Sequence, residues 1–191
     1  MGKFKGSKTE QNLITAFAGE SQARNRYSYF AEKAKQDGFR QIADIFVETA
    51  NHEKEHAKRF FKFLNGGEVE VKWGFPAGVI SSTYENLVAA AAGERYEHTE
   101  MYPGFAVVAR QENFVRVAEV LEAICVAESQ HEKRYLELAA NLKENRVFKR
   151  EQVVVWRCLN CGYLHEHREA PEVCPACISP RGYFELLGEN W

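Results

Sequence analysis

The stretch Val117–Leu138, VAEVLEAICVAESQHEKRYLEL, decides the fold. Val117, Leu121, Ile124, Glu128, His131, Tyr135 and Leu138 follow one another at alternating steps of four and three residues. That is the period of one helix face, so Glu128 and His131 lie in the apolar stripe itself. Ile42, Phe46, Thr49, Glu53, His56 and Phe60 repeat the pattern, and Leu13, Phe17, Glu20 and Tyr27 place a third glutamate on a core face. An ionised carboxylate buried without a partner costs several kcal/mol at least. A chain that puts several of them into one core therefore requires a cation there.

The surrounding sequence builds a bundle for these stripes. Of the 27 acidic residues 25 are glutamates, and glutamate is a good helix former where aspartate is not. Ser7-Lys8-Thr9-Glu10 and Ser82-Thr83-Tyr84-Glu85 read as capping boxes, whereas Asp37-Gly38, Asn65-Gly66 and Gln111-Glu112-Asn113 read as stops or turns. Four long helices are expected, roughly over residues 9–36, 39–64, 82–110 and 114–145, with Pro103 kinking or loosening the third just after Tyr102. Gly66–Ser81, with its Gly-Gly, Trp73-Gly74 and Phe75-Pro76 pairs, is too irregular for a helix and too long for a tight turn, so it reads as a crossover. Two hairpins joined by one long crossover are the connectivity of a ferritin-like four-helix bundle.

The two hairpins repeat one another. Ala18-Gly19-Glu20 recurs as Ala92-Gly93-Glu94 at an offset of 74, and Phe39, Glu53, His56 and Phe60 recur as Phe114, Glu128, His131 and Tyr135 at an offset of 75. Each half thus offers a glutamate on its first helix and Glu-x-x-His on its second. Composition alone would produce on the order of one Glu-x-x-His by chance, so position has to decide. Glu20 lies 17 residues before Asp37 and Glu53 lies 16 after it, the same level of an antiparallel hairpin. Glu94 and Glu97, 18 and 15 residues before Glu112, stand level with Glu128 and His131, 16 and 19 after it. A single helical glutamate is ordinarily a surface residue, but six shared positions on apolar faces at matched heights are not. Hard carboxylate oxygens bridging two ions, with one imidazole for each, suit iron or manganese.

Length and charge narrow the class further. The 191 residues, 45% hydrophobic, suffice for one domain of ordinary size and a small appendage, expected over 1–147 and 153–191. A net charge of -2, with basic residues scattered among acidic ones, leaves no footprint for nucleic acid or an anionic membrane. No stretch approaches the roughly 20 apolar residues of a membrane span, no apolar run suits a signal peptide, and Gly6 stands where a myristoylation signal after Gly2 needs Ser or Thr. A cytoplasmic location is expected. Four of the five cysteines form two CxxC pairs, Cys158/Cys161 and Cys174/Cys177, which in a reducing compartment point to metal rather than disulfides. Taken alone, four thiolates fit structural zinc or a single iron, with zinc favoured.

With Glu20, Glu53-x-x-His56, Glu94-x-x-Glu97 and Glu128-x-x-His131 ahead of CxxCGY and CPxC, essentially all of the chain resembles the rubrerythrin family, and its tail resembles rubredoxin. The resemblance implies two irons in the bundle, ligated by Glu20, Glu53, His56, Glu94, Glu97, Glu128 and His131, and one iron on Cys158, Cys161, Cys174 and Cys177. It implies further that Glu97, which takes the place of Ala23 in the internal repeat, exchanges with His56 as iron is oxidised. A ferric ion gains more from a hard anionic oxygen than a ferrous one does, which agrees with that exchange. The tail departs from free-standing rubredoxins in its short spacer and in Ile178, where a glycine usually follows the last cysteine.

The activity this implies is reduction of hydrogen peroxide to water, protecting an anaerobe or microaerophile from oxidative stress. Electrons would come from rubredoxin or an NAD(P)H-dependent reductase through the thiolate-bound iron, and Tyr27 and Tyr102 could steer protons. Because the fourth helix carries the tail away from the bundle site, a head-to-tail homodimer is expected, in keeping with the family. Two other functions compete: ferroxidase and iron handling, and a zinc ribbon that binds partners beside a structural metal bundle. Cys125 reads as an inert buried thiol, His52 and His98 as surface residues, and His165 and His167, in the loop between the CxxC pairs, receive no role.

Overall fold

The computed structural model describes residues 3–190. Met1 and Gly2, where the sequence argued against a lipid anchor, and Trp191 lie outside them. Helix α1 (Lys8–Gln36) turns at Asp37-Gly38 into α2 (Arg40–Phe61), and α3 (Thr83–Tyr96), a π-helical turn (Glu97–Met101) and α4 (Tyr102–Gln111) form the third rod, against which α5 (Val115–Lys143) returns. Between the hairpins, residues 65–82 carry no regular structure and form the crossover. Trp73 meets Phe105 edge-on, and Phe75 lies against Gly19. The fold is mainly α, a ferritin-like bundle followed by a small strand domain.

Two helix boundaries differ from the sequence reading. The second helix stops at Phe61, three residues early, because Phe63 and Leu64 already bond to carbonyls three residues back, the tightened turn with which helices often end. The third rod is irregular before Tyr102 rather than after it. The Tyr102 N–H reaches back five residues to the Glu97 carbonyl, and the widened turn accommodates the proline ring that an α-turn would press against the carbonyl of Thr99. Pro103 itself opens α4, where its missing N–H is harmless.

The caps tie each hairpin to the other. Ser82 and Glu85 form the complete capping box of α3. At the other site Ser7 accepts from Glu10 N–H, but the Glu10 carboxylate takes the N–H of Gly6 rather than of Ser7. Beyond these, Asp37 in the first hairpin turn accepts from Thr83 N–H and Oγ1 at 3.2 and 2.7 Å. Glu112 in the second turn does the same for Thr9 at 2.8 and 2.6 Å, and also accepts from Lys8 N–H. Each turn acid thus satisfies free N–H groups at the start of the opposite hairpin's first helix.

The tail is a three-stranded antiparallel sheet of order β2-β1-β3, from β1 (Lys149–Cys158), β2 (Leu164–Glu169) and β3 (Phe184–Leu186). Its small core of Trp156, Ala170 and Phe184 surrounds Cys158 and Cys174. His165 and His167 belong to β2 rather than to a loop. The domain rests on the α1–α2 turn of its own bundle, where Phe148 stacks on Phe39 and Arg40 lies over the Tyr183 ring.

Loss of the Asp37 cap in Asp37→Ala is expected to cost about 1 kcal/mol in urea unfolding. Glu112→Ala should lower the midpoint in the same direction, and the double variant should show the sum, because the two caps sit at opposite ends of α1. Unchanged midpoints would refute the exchange of caps.

Candidate metal centre

All four helical rods deliver glutamate to one level of the bundle. Glu20, Glu53, Glu94 and Glu128 are each no more than 1% exposed and lie between two apolar clusters. One is built around Tyr27, Phe30, Phe46 and Tyr135, the other around Leu13, Phe60, Tyr102 and Leu121. Two sets of potential ligand atoms result, each within 4.8 Å of one another: Glu20, Glu53, His56 and Glu128, and Glu53, Glu94, Glu128 and His131. Glu53 and Glu128, mates in the internal repeat, belong to both sets, which is where bridging carboxylates would stand.

The orientation of these atoms suits ions rather than one another. His131 Nδ1 lies 2.8 Å from Glu128, 3.2 Å from Glu53 and 3.4 Å from Glu94, yet is aligned for a hydrogen bond to none of them. Glu20 Oε2, Glu53 Oε1, Glu94 Oε2 and both oxygens of Glu128 also lack hydrogen-bond partners among the described residues. Buried polar atoms are rarely left so. His56 Nδ1 is 2.9 Å from Glu128 and hydrogen-bonded to Glu53 at 3.0 Å. Atoms that converge on a common centre, most of them without bonding each other, fit a pair of hard cations with one imidazole apiece.

Protonation in the metal-free site follows the crowding. Burial first, then the neighbouring carboxylates, raise Glu20 and Glu97 well above the usual carboxylate range and raise Glu94 to about 8. Burial lowers His56 and His131, but the carboxylates of Glu128 and Glu53 close beside each ring outweigh it and lift them to about 10 and about 12. Burial raises Glu128, and the two imidazoles, 2.9 and 2.8 Å from it, more than reverse that and lower it.

Around these atoms stand Tyr27, which donates to Glu94 Oε1, and Tyr102, which donates to Glu20 Oε1. Each tyrosine of one half holds the glutamate of the other and leaves that glutamate's second oxygen free. Glu97 is also buried, on the π-turn, but lies outside both ligand sets. Two residues read as surface are not free. His52 Nδ1 lies 3.1 Å from His131 Nε2, and His98 Nε2 lies 2.6 Å from Glu132 on α5. Their positions some 100° from the ligand stripe turn them toward the neighbouring helix, although His52 stays half-exposed. Cys125 is half-buried, its thiol pushed up to about 11 by burial and by Glu128.

In the tail, the pairs Cys158/Cys177 and Cys161/Cys174 stand 3.7 and 3.6 Å apart between sulfurs. A tetrahedron with metal–sulfur bonds of about 2.3 Å has edges of about 3.8 Å, so the four thiols are already arranged around a centre. Hydrogen bonding of Asn160 and Ser179 onto the sulfur lowers Cys177 to about 5, favouring its thiolate.

Fold and site together define a ferritin-like bundle for a carboxylate-bridged metal pair, carrying a four-thiolate metal domain. Comparison with known proteins makes the class specific. The family described as Rubrerythrin matches residues 11–139, and that described as Rubrerythrin, rubredoxin-like domain matches 156–185. The rubrerythrin of Nitratidesulfovibrio vulgaris (strain Hildenborough) is 61% identical over 191 residues, covering all of both chains. That of Porphyromonas gingivalis is 54% identical and covers 98% of this chain and 94% of its own. A solved structure of fully reduced, all-ferrous nigerythrin superposes with a TM-score of 0.64 at 31% identity, covering 95% of this chain and 90% of that one. The chain belongs to the rubrerythrin family. It accordingly has a di-iron carboxylate–histidine site in the bundle and a rubredoxin-type four-cysteine iron site in the tail.

Metal removal should expose the protonation pattern. Above about pH 4.5 the folded metal-free protein holds protons on Glu20, Glu94, Glu97 and the two histidines that the unfolded chain progressively releases. Its stability must therefore fall as pH rises. Within the bundle site Glu128 acts oppositely, losing its contribution as pH falls below the usual carboxylate range, and in the tail Cys177, lowered to about 5, offsets one group's worth of the fall. The Tm of metal-free protein is expected to drop between about pH 5 and 9, and that of metal-loaded protein to change much less. A flat or rising metal-free curve would contradict the assignment.

Proposed function

We propose that the protein reduces hydrogen peroxide, H2O2 + 2 H+ + 2 e- giving two waters, with electrons from rubredoxin or an NAD(P)H-dependent reductase entering through the four-cysteine site. In this reading Glu20, Glu53, His56, Glu94, Glu128 and His131 ligate the bundle irons, Glu97 is the ligand exchanged with His56, and Cys158, Cys161, Cys174 and Cys177 hold the third iron. Held by these residues, a pair of irons would supply the two electrons that breaking the O–O bond requires, and an iron on the four thiolates would pass electrons one at a time. The observation that carries the reading is Glu97, a fifth buried carboxylate held on a π-turn just outside two complete ligand sets. A structural metal pair has no use for it.

The chain's own residues supply the protons and the enclosure. Tyr27 and Tyr102 hold their hydroxyl protons on Glu94 and Glu20, inside the carboxylate layer, from which a proton can pass to a departing oxygen. The apolar clusters on either side exclude water from the reacting centre. His56, at 15% side-chain exposure, is the more accessible of the two imidazoles. We place the protein in the cytoplasm. No helix among the described residues is long and apolar enough to cross a membrane.

A head-to-tail homodimer completes the proposal, with 1–147 and 153–191 as its two working units. From His131, α5 runs another twelve residues to Lys143, about 18 Å, and the tail then rests on the α1–α2 turn of its own bundle. A second copy would bring a thiolate site to the di-iron centre that its own chain holds distant. Analytical ultracentrifugation is expected to show a dimer, and a fully active monomer would end this part of the proposal.

Anaerobic stopped-flow absorbance tests the reaction. Reduced, iron-loaded protein is expected to oxidise quickly at both centres with peroxide and much more slowly with air-saturated buffer. Glu97→Ala should slow the peroxide phase on the order of 10²-fold, as for a misplaced reacting group. Equal or faster reaction with dioxygen would favour iron oxidation and storage instead, and absence of thiolate–iron bands would favour a zinc ribbon.

A further inference from the structure

Because the internal repeat pairs the two halves of the site, a residue that it fails to reproduce marks an asymmetry. His52 is one: at an offset of 75 its mate is Ala127. Its ring lies nearly parallel to that of His131, at 11°, with His52 Nδ1 3.1 Å from His131 Nε2. A His131 that turns Nδ1 toward the carboxylates carries its proton on Nε2, and that N–H donates to His52 Nδ1. The proton of His52 then sits on Nε2, 4.0 Å from Glu48 Oε1, while Glu48 Oε2 accepts from Arg134 Nη2 at 2.5 Å. Arg134 follows His131 by three residues on α5, and Glu48 precedes His52 by four on α2. His131, His52, Glu48 and Arg134 therefore close a ring across the two helices.

His56 has no such support. Ala127 ends at Cβ, and among the described residues no side-chain hydrogen bond engages His56 Nε2. Of the two imidazoles it is the looser, 15% exposed against 4% for His131.

We infer that His52 is a positioning residue that fixes the tautomer and ring plane of His131, so that ligand exchange is confined to His56. This rests on the ligand assignment proposed above. An outer hydrogen-bond partner commonly sets a ligating histidine's orientation and basicity, and its loss costs about 10- to 100-fold in metal affinity. The two departures from two-fold symmetry are then complementary: Glu97 adds an alternative ligand, and His52 determines which histidine can yield to it.

The test uses cobalt(II) as probe in the full-length protein, bound anaerobically in competition with a chelator and followed by proton NMR of the hyperfine-shifted imidazole N–H signals. Wild type is expected to show a slowly exchanging His131 Nε2–H and a rapidly exchanging His56 signal. His52→Leu, at a half-exposed position, should convert the slow signal to fast exchange and lower cobalt affinity about 10- to 100-fold. His52→Gln, whose side-chain oxygen can accept the same hydrogen bond, should restore both. Retention of the slow signal and of the affinity in His52→Leu would overturn the proposal while leaving the ligand assignment standing. Fast exchange of the His131 N–H already in the wild type would overturn the proposal alone, and absence of any hyperfine-shifted histidine signal, ring C–H included, would overturn both.

Discussion

Four carboxylates share one level of a core that is otherwise apolar, and the rest of the structure is arranged around the cost of holding them there. Each would be expensive to bury alone, and together they repel. Metal-free, the site relieves this by keeping protons on Glu20, Glu94 and Glu97 and on both histidines. With cations present the same oxygens become ligands. Tyr27 and Tyr102 fit that economy, since each satisfies one oxygen of a terminal glutamate and leaves the other free. The apolar clusters on both sides fix the helices at a spacing that a collapsed layer would not tolerate, so packing and metal binding are one problem.

The two-fold repeat solves most of that problem twice. Glu20 and Glu94, Glu53 and Glu128, His56 and His131, Tyr27 and Tyr102, and even the capping acids Asp37 and Glu112 occur as mates. A symmetric site would hold two ions equally, with nothing to distinguish one from the other. Glu97 breaks this balance: it opens the π-turn at a core position where the first half has a buried Ala23 on a regular helix. π-Turns often mark functional positions in helices for this reason: one added residue redirects a side chain without ending the helix.

Much of this was legible in the sequence because it depends on period. The stripes of three and four identified the ligand-bearing faces, the crossover identified the bundle, and the spacing of cysteines identified the tail. The π-turn was also written there. The repeat offset changes from 74 at Glu94 to 75 at Phe114, one residue gained between them, and Tyr27 and Tyr102 already show the larger value. What period could not show is contact between helices. His52 and His98 lie off the ligand stripe, and only the docking of α2 and the π-turn against α5 brings them to His131 and Glu132. The cap exchange through Asp37 and Glu112 escaped for the same reason, since its partners are 46 and 103 residues apart.

The tail shows how far a local departure can be tolerated. Gly162 and Ile178 occupy the same place after the second cysteine of each pair, and both adopt positive φ, 77° and 63°. Glycine does so freely, whereas for a β-branched residue the left-handed conformation costs roughly 1–2 kcal/mol. Structural zinc in a four-coordinate site of similar size contributes on the order of 10–16 kcal/mol to the folding of a small domain, which sets the scale here. The strain is therefore small against the ligation that opposes it, and the amide of Ile178 still reaches the Cys174 carbonyl at 2.9 Å, as Gly162 reaches Cys158. Four sulfurs around one centre constrain the backbone strongly enough to hold isoleucine in a glycine conformation, which is why the departure from the rubredoxin pattern leaves the cysteine geometry intact.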